Sequence, residues 1–182
     1  MALSKIDGTN FVDPTLPVAS GGTGLTSGFK NGITMIDQWR ITADTNSGTD
    51  ADVTSNWERA DDTTWSGIGT GLTESSGIFS FPQTGIYLIS SFFTVLMTSD
   101  AGAGVVFMST NDNSTYETDG RSYEGTNSLA YGSFSFQNLI DVQNTSNYKF
   151  KFATTSFASG TTLKGLSTLT QSGFTVIRIG DT

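Results

Sequence analysis

Strand signals recur along the chain from residue 32 onward, and in several segments apolar and polar residues alternate with the period of two that marks a β-strand. The alternation is strictest at residues 147–153, where it puts Tyr148, Phe150 and Phe152 on one face. A nearly continuous apolar run at 86–97 is rich in β-branched and aromatic residues, and it predicts a strand buried on both faces. Both patterns favour extended chain over helix.

The same signals predict further strands, separated by turns rich in Pro, Gly, Asn, Asp and Ser. Strand-like segments lie at 33–41, 57–60, 78–81, 104–110, 129–140 and 174–179. Roughly eight to ten strands with no helical period predict an all-β sandwich or jelly roll over residues 31–182. The polar stretch at 44–52 is expected to be a loop.

The first 30 residues follow neither period and hold Pro14 and Pro17, two of the three prolines of the chain. This segment is predicted to be an extended N-terminal arm whose spaced apolar residues bind another protein. A disordered linker is the alternative interpretation. The predicted partner-binding residues of the arm are Leu3, Ile6, Phe11, Val12, Leu16 and Val18.

Composition removes several classes of function. Lys and Arg total 9 against 17 Asp and Glu, a net charge of −8, whereas nucleic-acid binders need a basic patch, so no nucleic-acid partner is predicted. His and Cys are both absent, which excludes Ser-His-Asp and Cys-His catalysis and His-based metal sites. No apolar run approaches the roughly 20 residues of a membrane span, so no membrane partner is predicted. The first residues lack a signal-peptide pattern.

Acidic and tryptophan side chains are the remaining candidates for ligand contacts. The acidic candidates show no calcium-loop spacing, so solvated loop charge is expected and neither metal nor cofactor is predicted; they are Asp44, Asp50, Asp52, Asp61 and Asp62. Trp39 and Trp57 lie in strand-like segments and are expected in the core. Trp65 lies in a loop-like segment and is the candidate for an exposed contact.

Glutamates are scarce and form no recognisable pair for glycoside hydrolysis, the reaction that two carboxylates could perform. The four glutamates are Glu58, Glu74, Glu117 and Glu124. The chain is therefore predicted not to be an enzyme.

One stretch carries a family resemblance. Residues 77–89 read Gly-Ile-Phe-Ser-Phe-Pro-Gln-Thr-Gly-Ile-Tyr-Leu-Ile and resemble the signature of complement C1q and tumour-necrosis-factor-like (TNF-like) domains. Residues 139–142 with 148–150, and the Ser-Gly-Phe strand at 171–177, resemble other strands of that family. The family's usual Gly-Asp turn is replaced here by Asn-Thr-Ser-Asn at 144–147. The resemblance implies a jelly roll and a compact homotrimer whose apolar strand faces meet at a threefold axis.

A second resemblance concerns the arm. Residues 16–24, Leu-Pro-Val-Ala-Ser-Gly-Gly-Thr-Gly, are similar to a stretch in structural proteins of tailed bacteriophages. This implies a trimeric virion protein made in the host cytoplasm. It would be a capsid decoration or cement protein on the major capsid protein or other virion proteins, or a tail-fibre tip that binds a host-surface glycan. A cellular C1q-like binding module is a further alternative, against which the missing signal-peptide pattern counts.

Overall fold

The structure is a computed structural model that describes residues 33–98, 101–126 and 129–182. These residues form eleven β-strands and contain no helix long and apolar enough to span a membrane. The strands are β1 (Met35–Ile41), β2 (Trp57–Arg59), β3 (Thr73–Ser75), β4 (Ile78–Ser80), β5 (Gly85–Met97), β6 (Ala101–Thr110), β7 (Glu117–Thr126), β8 (Ala130–Val142), β9 (Lys149–Thr155), β10 (Thr162–Leu163) and β11 (Gly173–Gly180).

The strands form two antiparallel sheets that pack face to face. Sheet I has the order β8-β5-β11-β1-β2, and the short β10 continues beside β5 where β11 ends. Sheet II has the order β3-β4-β9-β6-β7. Strands far apart in sequence are neighbours, as in β1 with β11 and β4 with β9. The two sheets of antiparallel strands form a jelly roll, which confirms the predicted fold class.

An aromatic cluster fills the space between the sheets. Phe150 is fully buried and stacks on Phe79 and Phe107, with ring centroids 5.1 Å and 5.3 Å apart. Phe152 lies 5.3 Å from Phe174 of the facing sheet. The predicted common face of Phe150 and Phe152 is therefore confirmed, and Tyr148 packs half-buried against the same core.

Strand β5 departs from its prediction of burial on both faces. Its residues alternate strictly between buried and half-buried along all 13 positions. Tyr87 and Phe93 point into the core, whereas Ile86 and Leu88 point to the opposite face. The reason is that the described residues provide no layer over that face of sheet I. The apolar residues of β5 thus belong to two surfaces. One is the core between the sheets, and the other is the face of sheet I that the described residues do not cover with a second layer.

Strand β7 was not predicted from the sequence, and the total of eleven strands exceeds the expected eight to ten. Its sequence, Glu-Thr-Asp-Gly-Arg-Ser-Tyr-Glu-Gly-Thr, has no apolar face. Position explains this, because β7 is the edge of sheet II and charged residues protect sheet edges from unwanted pairing. β3 and β10 have three and two residues, too few for a period to be visible.

The turn before β5 explains the motif that carried the family resemblance. The Tyr87 hydroxyl donates a hydrogen bond to the Gln83 carbonyl at 2.8 Å, and Arg178 Nε donates to the Thr84 carbonyl at 2.9 Å. Gly85 has a φ of 143°, and a Cβ there would lie 2.3 Å from Arg178 Nε. Only glycine fits this conformation and this contact. Burial raises the pKa of Tyr87, with the charge of Arg178 opposing it.

Candidate interaction surface

An apolar row crosses the outer face of sheet I, the face turned away from sheet II. Directly opposed residues of antiparallel neighbours project from the same face. The pairings of Ile36 with Ile177, Ile177 with Leu88 and Leu88 with Leu139 place these four side chains in one line across β1, β11, β5 and β8. Ile68 extends the line beyond β1, because its backbone N–H and C=O both bond to Ile36 at 3.0 Å.

The row becomes more exposed toward both ends. Leu139 is 66% exposed and Ile68 is 42% exposed, while the three residues between them are half-buried. Single exposed apolar residues are common on protein surfaces, but contiguous ones mark interaction sites. The five residues of the row are contiguous across the sheet, so we take the outer face of sheet I as the candidate interaction surface.

A second apolar band lies on the same face, farther along β5 and β8. Leu96 pairs directly with Tyr131, which is 64% exposed. Phe92 lies between this band and the row, half-buried opposite Ser135. A trough of about 480 Å³ runs beside Phe92 among small polar side chains. The surface therefore has apolar ridges with a polar depression between them.

The edge strand β8 continues this surface to the side of the sandwich. β8 is 13 residues long, pairs with β5, and carries one charged residue, Asp141. The edges on the opposite side of the sandwich, β2 and β3, are three residues each. Native proteins shorten, charge or cover edge strands to prevent pairing with other chains. β8 is long, and among the described residues no strand pairs with its outer side, but β7 of sheet II lies beside it, where Asn138 Nδ2 donates a hydrogen bond to the Asp119 carbonyl at 3.3 Å.

A charged cluster bounds the surface at the β1 end. Arg40 is almost fully buried on this face, and its Nε and Nη1 bond to Glu58 and Asp62 at 3.0 Å and 3.1 Å. Its Nη2 bonds to Asp61. Burial alone would lower the pKa of Arg40, but the hydrogen bonds and charges of Glu58 and Asp62 raise it above the ordinary value. Three carboxylates around one guanidinium leave this corner negative.

The acidic candidates are dispersed rather than gathered. Asp44 bonds to Lys164 and Asp52 to Lys151, in the second case at 2.6 Å. Asp50 accepts the backbone N–H groups of Ser156 and Phe157. Together with the Arg40 pairs, these contacts give the predicted acidic residues structural roles. No three His, Cys, Asp or Glu side chains of the described residues converge as metal ligands.

The glutamates are also dispersed. Glu58 bonds to Arg40, and Glu74 accepts the Gly77 N–H at 2.6 Å in the β3–β4 turn. Glu117 and Glu124 stand seven positions apart on β7, about 24 Å along an extended strand. A glycosidase needs its two carboxylates about 5–10 Å apart. The described glutamates thus offer no such arrangement.

The tryptophans have different positions. Trp39 lies in the core, where its indole N–H donates to the buried Asp37 at 2.9 Å. Trp57 packs partly buried against Phe79 and Phe152. Trp65 lies in the loop between β2 and β3 and is half-buried. The first two have the core positions predicted from their segments, and a ligand contact by Trp65 stays a prediction.

The predicted arm residues lie outside the described residues, as does the whole segment before residue 33. The prediction for Leu3, Ile6, Phe11, Val12, Leu16 and Val18 therefore stands on the sequence alone. Conversely, the apolar row was missed at the sequence level. Its members come from strands far apart in the chain, and only the pairing register brings them into line.

Comparisons with known proteins bear on this fold. No protein-family model matches the sequence, and no curated protein matches it either. Several solved structures do match it. Eiger TNF from S. frugiperda superposes with a TM-score of 0.65 at 16% identity, over 81% of this chain and 94% of the other. Murine APRIL at pH 5.0 gives a TM-score of 0.59 at 16% identity, over 79% of this chain and 98% of the other.

The fold is a TNF-like jelly roll. The alignments cover almost the full length of those domains, so the likeness is to the entire jelly roll and not to one sheet of it. The family resemblance of the 77–89 motif is confirmed at the level of the fold. At 16% identity the likeness extends no further than that.

Proposed function

We propose that this chain is a non-enzymatic structural protein that assembles as a homotrimer through the outer face of sheet I. We further propose that the trimer is a decoration or cement protein on the surface of a tailed-bacteriophage virion. The observation that carries the first part is the apolar row, which crosses sheet I from β1 to β8 and is exposed at both ends. Fully burying an exposed side chain of this size contributes about 1.5–3 kcal/mol, and the three half-buried members of the row would contribute less than that.

The arrangement of face and edge favours a ring over a twofold dimer. The apolar row lies on a face of sheet I, whereas β8 forms its edge. If the edge of one copy meets the face of the next, the contact joins two different surfaces, and such contacts form a closed ring when the rotation between copies closes. The resemblance to C1q and TNF-like domains sets the expected ring size at three.

The arm supports the virion part of the proposal. Its phage-like stretch at 16–24 and its spaced apolar residues suit docking in grooves of a neighbouring shell protein. The prolines Pro14 and Pro17 restrict the arm to extended conformations, which lowers the entropy lost on docking. Three arms on one trimer raise the effective concentration of each, so weak contacts add up to firm attachment.

The assembly is tested by the mass of the full chain in solution. Light scattering should give three times the 19.3 kDa chain mass at micromolar concentration. A chain that stays monomeric would contradict the trimer.

The location is tested on particles. Purified particles should carry hundreds of copies, whereas a handful would indicate the fibre tip instead. Deleting residues 1–28 should leave a trimer with an unchanged melting temperature that no longer joins shells lacking this protein. Normal decoration by the truncated trimer would assign attachment to the jelly roll.

A further inference from the structure

A polar rung separates the two apolar bands on the outer face of sheet I. It is the set of paired residues that follows the apolar row one step along the strands, and each member sits directly opposite the next. The rung consists of Gln38, Thr175, Ser90 and Gln137. It contains two amides and two hydroxyls and no charge. The trough beside Phe92 is lined by three of these four residues.

We propose that the polar rung sets the register in which a second copy of this chain docks on sheet I, and so restricts assembly to one closed species. This inference rests on the proposed trimer and adds the residues that select it. The apolar bands would supply the free energy of association. The rung would decide which alignment of two copies is allowed.

A second copy is the occupant that the chemistry of the rung fits. Each Gln side chain both donates and accepts hydrogen bonds, and so does each hydroxyl. Such groups can pair with Gln137 on the β8 edge of an identical chain without needing a partner of opposite charge. The rung also leads to Gln137 on β8, the edge strand that the apolar row reaches through Leu139.

One hydrogen bond already orients the rung. Gln137 Nε2 donates to Ser90 Oγ at 3.1 Å, across the β5–β8 pair. This bond turns the NH2 group of the Gln137 amide toward Ser90 and its carbonyl oxygen, which accepts hydrogen bonds, away from Ser90. A partner group in the trough could therefore bond to an amide of fixed orientation, which gives directional as well as steric selection.

A slipped assembly would place unlike chemistry in contact. Residues on one face of a strand repeat about every 6.8 Å, so a slip of one repeat along the docked β8 edge of one copy moves its Leu139 over the rung of the other copy. The buried amides would then lose their water without gaining partners, which disfavours that alignment. A single polar residue in an apolar interface is known to fix register and oligomer state in coiled coils, at some cost in stability.

The test substitutes two residues of the polar rung and measures the distribution of oligomeric species. The full chain with Gln137→Leu and Ser90→Ala should fold normally, because Gln137 is exposed and Ser90 half-buried on the outer face. Native mass spectrometry and sedimentation velocity should show one trimeric species for the wild type and several exchanging species for the variant. Association should also begin at a concentration at least tenfold lower, because no amide must then be buried.

Two controls accompany the test. Gln143→Leu makes the same change just after β8 and off the rung, and it should leave one species. Ser90→Thr keeps the hydroxyl and should also leave one species. A double variant that remains a single trimer, with unchanged hydrogen-exchange protection in β5 and β8, would overturn the rung. A monomeric wild type would overturn the trimer and the rung with it, and that failure is visible before any variant is made.

Discussion

The aromatic interior and the apolar row occupy opposite faces of the same sheet, and in β5 they draw on alternate residues of one strand. In the interior, the ring of Phe150 packs against other aromatic rings of the same chain, with ring centroids 5–6 Å apart. On the outer face, Leu88 pairs with Leu139 on one side and with Ile177 on the other, and Leu139 is 66% exposed. Both regions are apolar, but the first is covered within the chain and the second is exposed at its ends.

This difference separates the determinants of folding from those of assembly. The interior should decide whether a single chain folds, because its side chains exchange water for protein contacts in every copy. The row should matter only once a second surface is present. Substitutions in the two regions should therefore change different measurements, and four of them test this in order of decreasing effect.

The largest effect is expected inside the sandwich. Phe150→Ala removes a fully buried ring that stacks on Phe79 and Phe107, so it should lower the free energy of unfolding by about 3–5 kcal/mol. Urea denaturation monitored by tryptophan fluorescence measures this loss. A variant with wild-type stability would mean that the stacked cluster is not the centre of the core.

The next effect should appear only in association. Leu139→Arg places a charge at the exposed end of the apolar row, so it should weaken trimer formation by tenfold or more. The melting temperature of the dissociated chain should hardly change. Sedimentation equilibrium gives the association constant. Leu169→Arg is the matched control, because Leu169 is 50% exposed in the loop between β10 and β11 and lies off the row. Equal weakening by both variants would contradict the role of the row.

A smaller effect separates packing from hydrogen bonding within the interior. Tyr87→Phe keeps the buried ring and removes the hydroxyl that donates to the Gln83 carbonyl at 2.8 Å. The expected loss is about 0.5–1.5 kcal/mol in the free energy of unfolding, with unchanged association. Tyr87→Ala removes the ring as well and should cost about 3–5 kcal/mol. If the two variants were equally unstable, the hydroxyl would be the main contribution and the packing a minor one.

The smallest effect lies outside both regions and depends on pH. The backbone N–H of Thr115, the Thr110 hydroxyl and the backbone N–H of Ser114 hold the pKa of Asp112 well below its ordinary value. A depressed pKa means that the stabilisation is present above the unfolded-state pKa of about 3.9 and is lost as the pH falls toward the folded-state value. Asp112→Asn should thus melt slightly below the wild type at pH 6, and this difference in melting temperature should shrink progressively as the pH falls below about 4. A difference in melting temperature that does not change with pH would exclude the charge of Asp112 as its cause.

The interior could be predicted from the sequence because its signal is local. The alternation at 147–153 placed Phe150 and Phe152 on one face, and the 77–89 motif located the turn before β5 and the buried Tyr87. The edge strand β7 could not be predicted, because its half-buried positions are Gly120, Ser122 and Glu124, which give it no apolar face. The alternation of apolar and polar residues that indicates a strand is absent from a strand that buries no apolar side chains.

The candidate surface was hidden for another reason. Nothing near Ile36 in the sequence indicates that Ile177 and Leu88 will stand beside it, because the alignment is set by strand pairing over the whole domain. The excess of apolar residues at 86–97 indicated that both faces of β5 are apolar. From the sequence, this excess predicts burial on both faces, whereas in the single chain the residues of the outer face are only half-buried. The prediction of a buried outer face would hold for β5 in the assembly we propose.

The pairing of β11 between β1 and β5 has a consequence for the time course of folding. β11 is the middle strand of sheet I and the last of the described strands in chain order. At about 5–20 residues per second, a ribosome needs several seconds to extend the chain from β5 to β11. During that interval β1 and β5 have no strand to join them, and native pairing of such distant segments is slow in any case. Truncation within β11 would therefore remove the centre of a sheet and leave a nascent chain with two open strand edges exposed to aggregation.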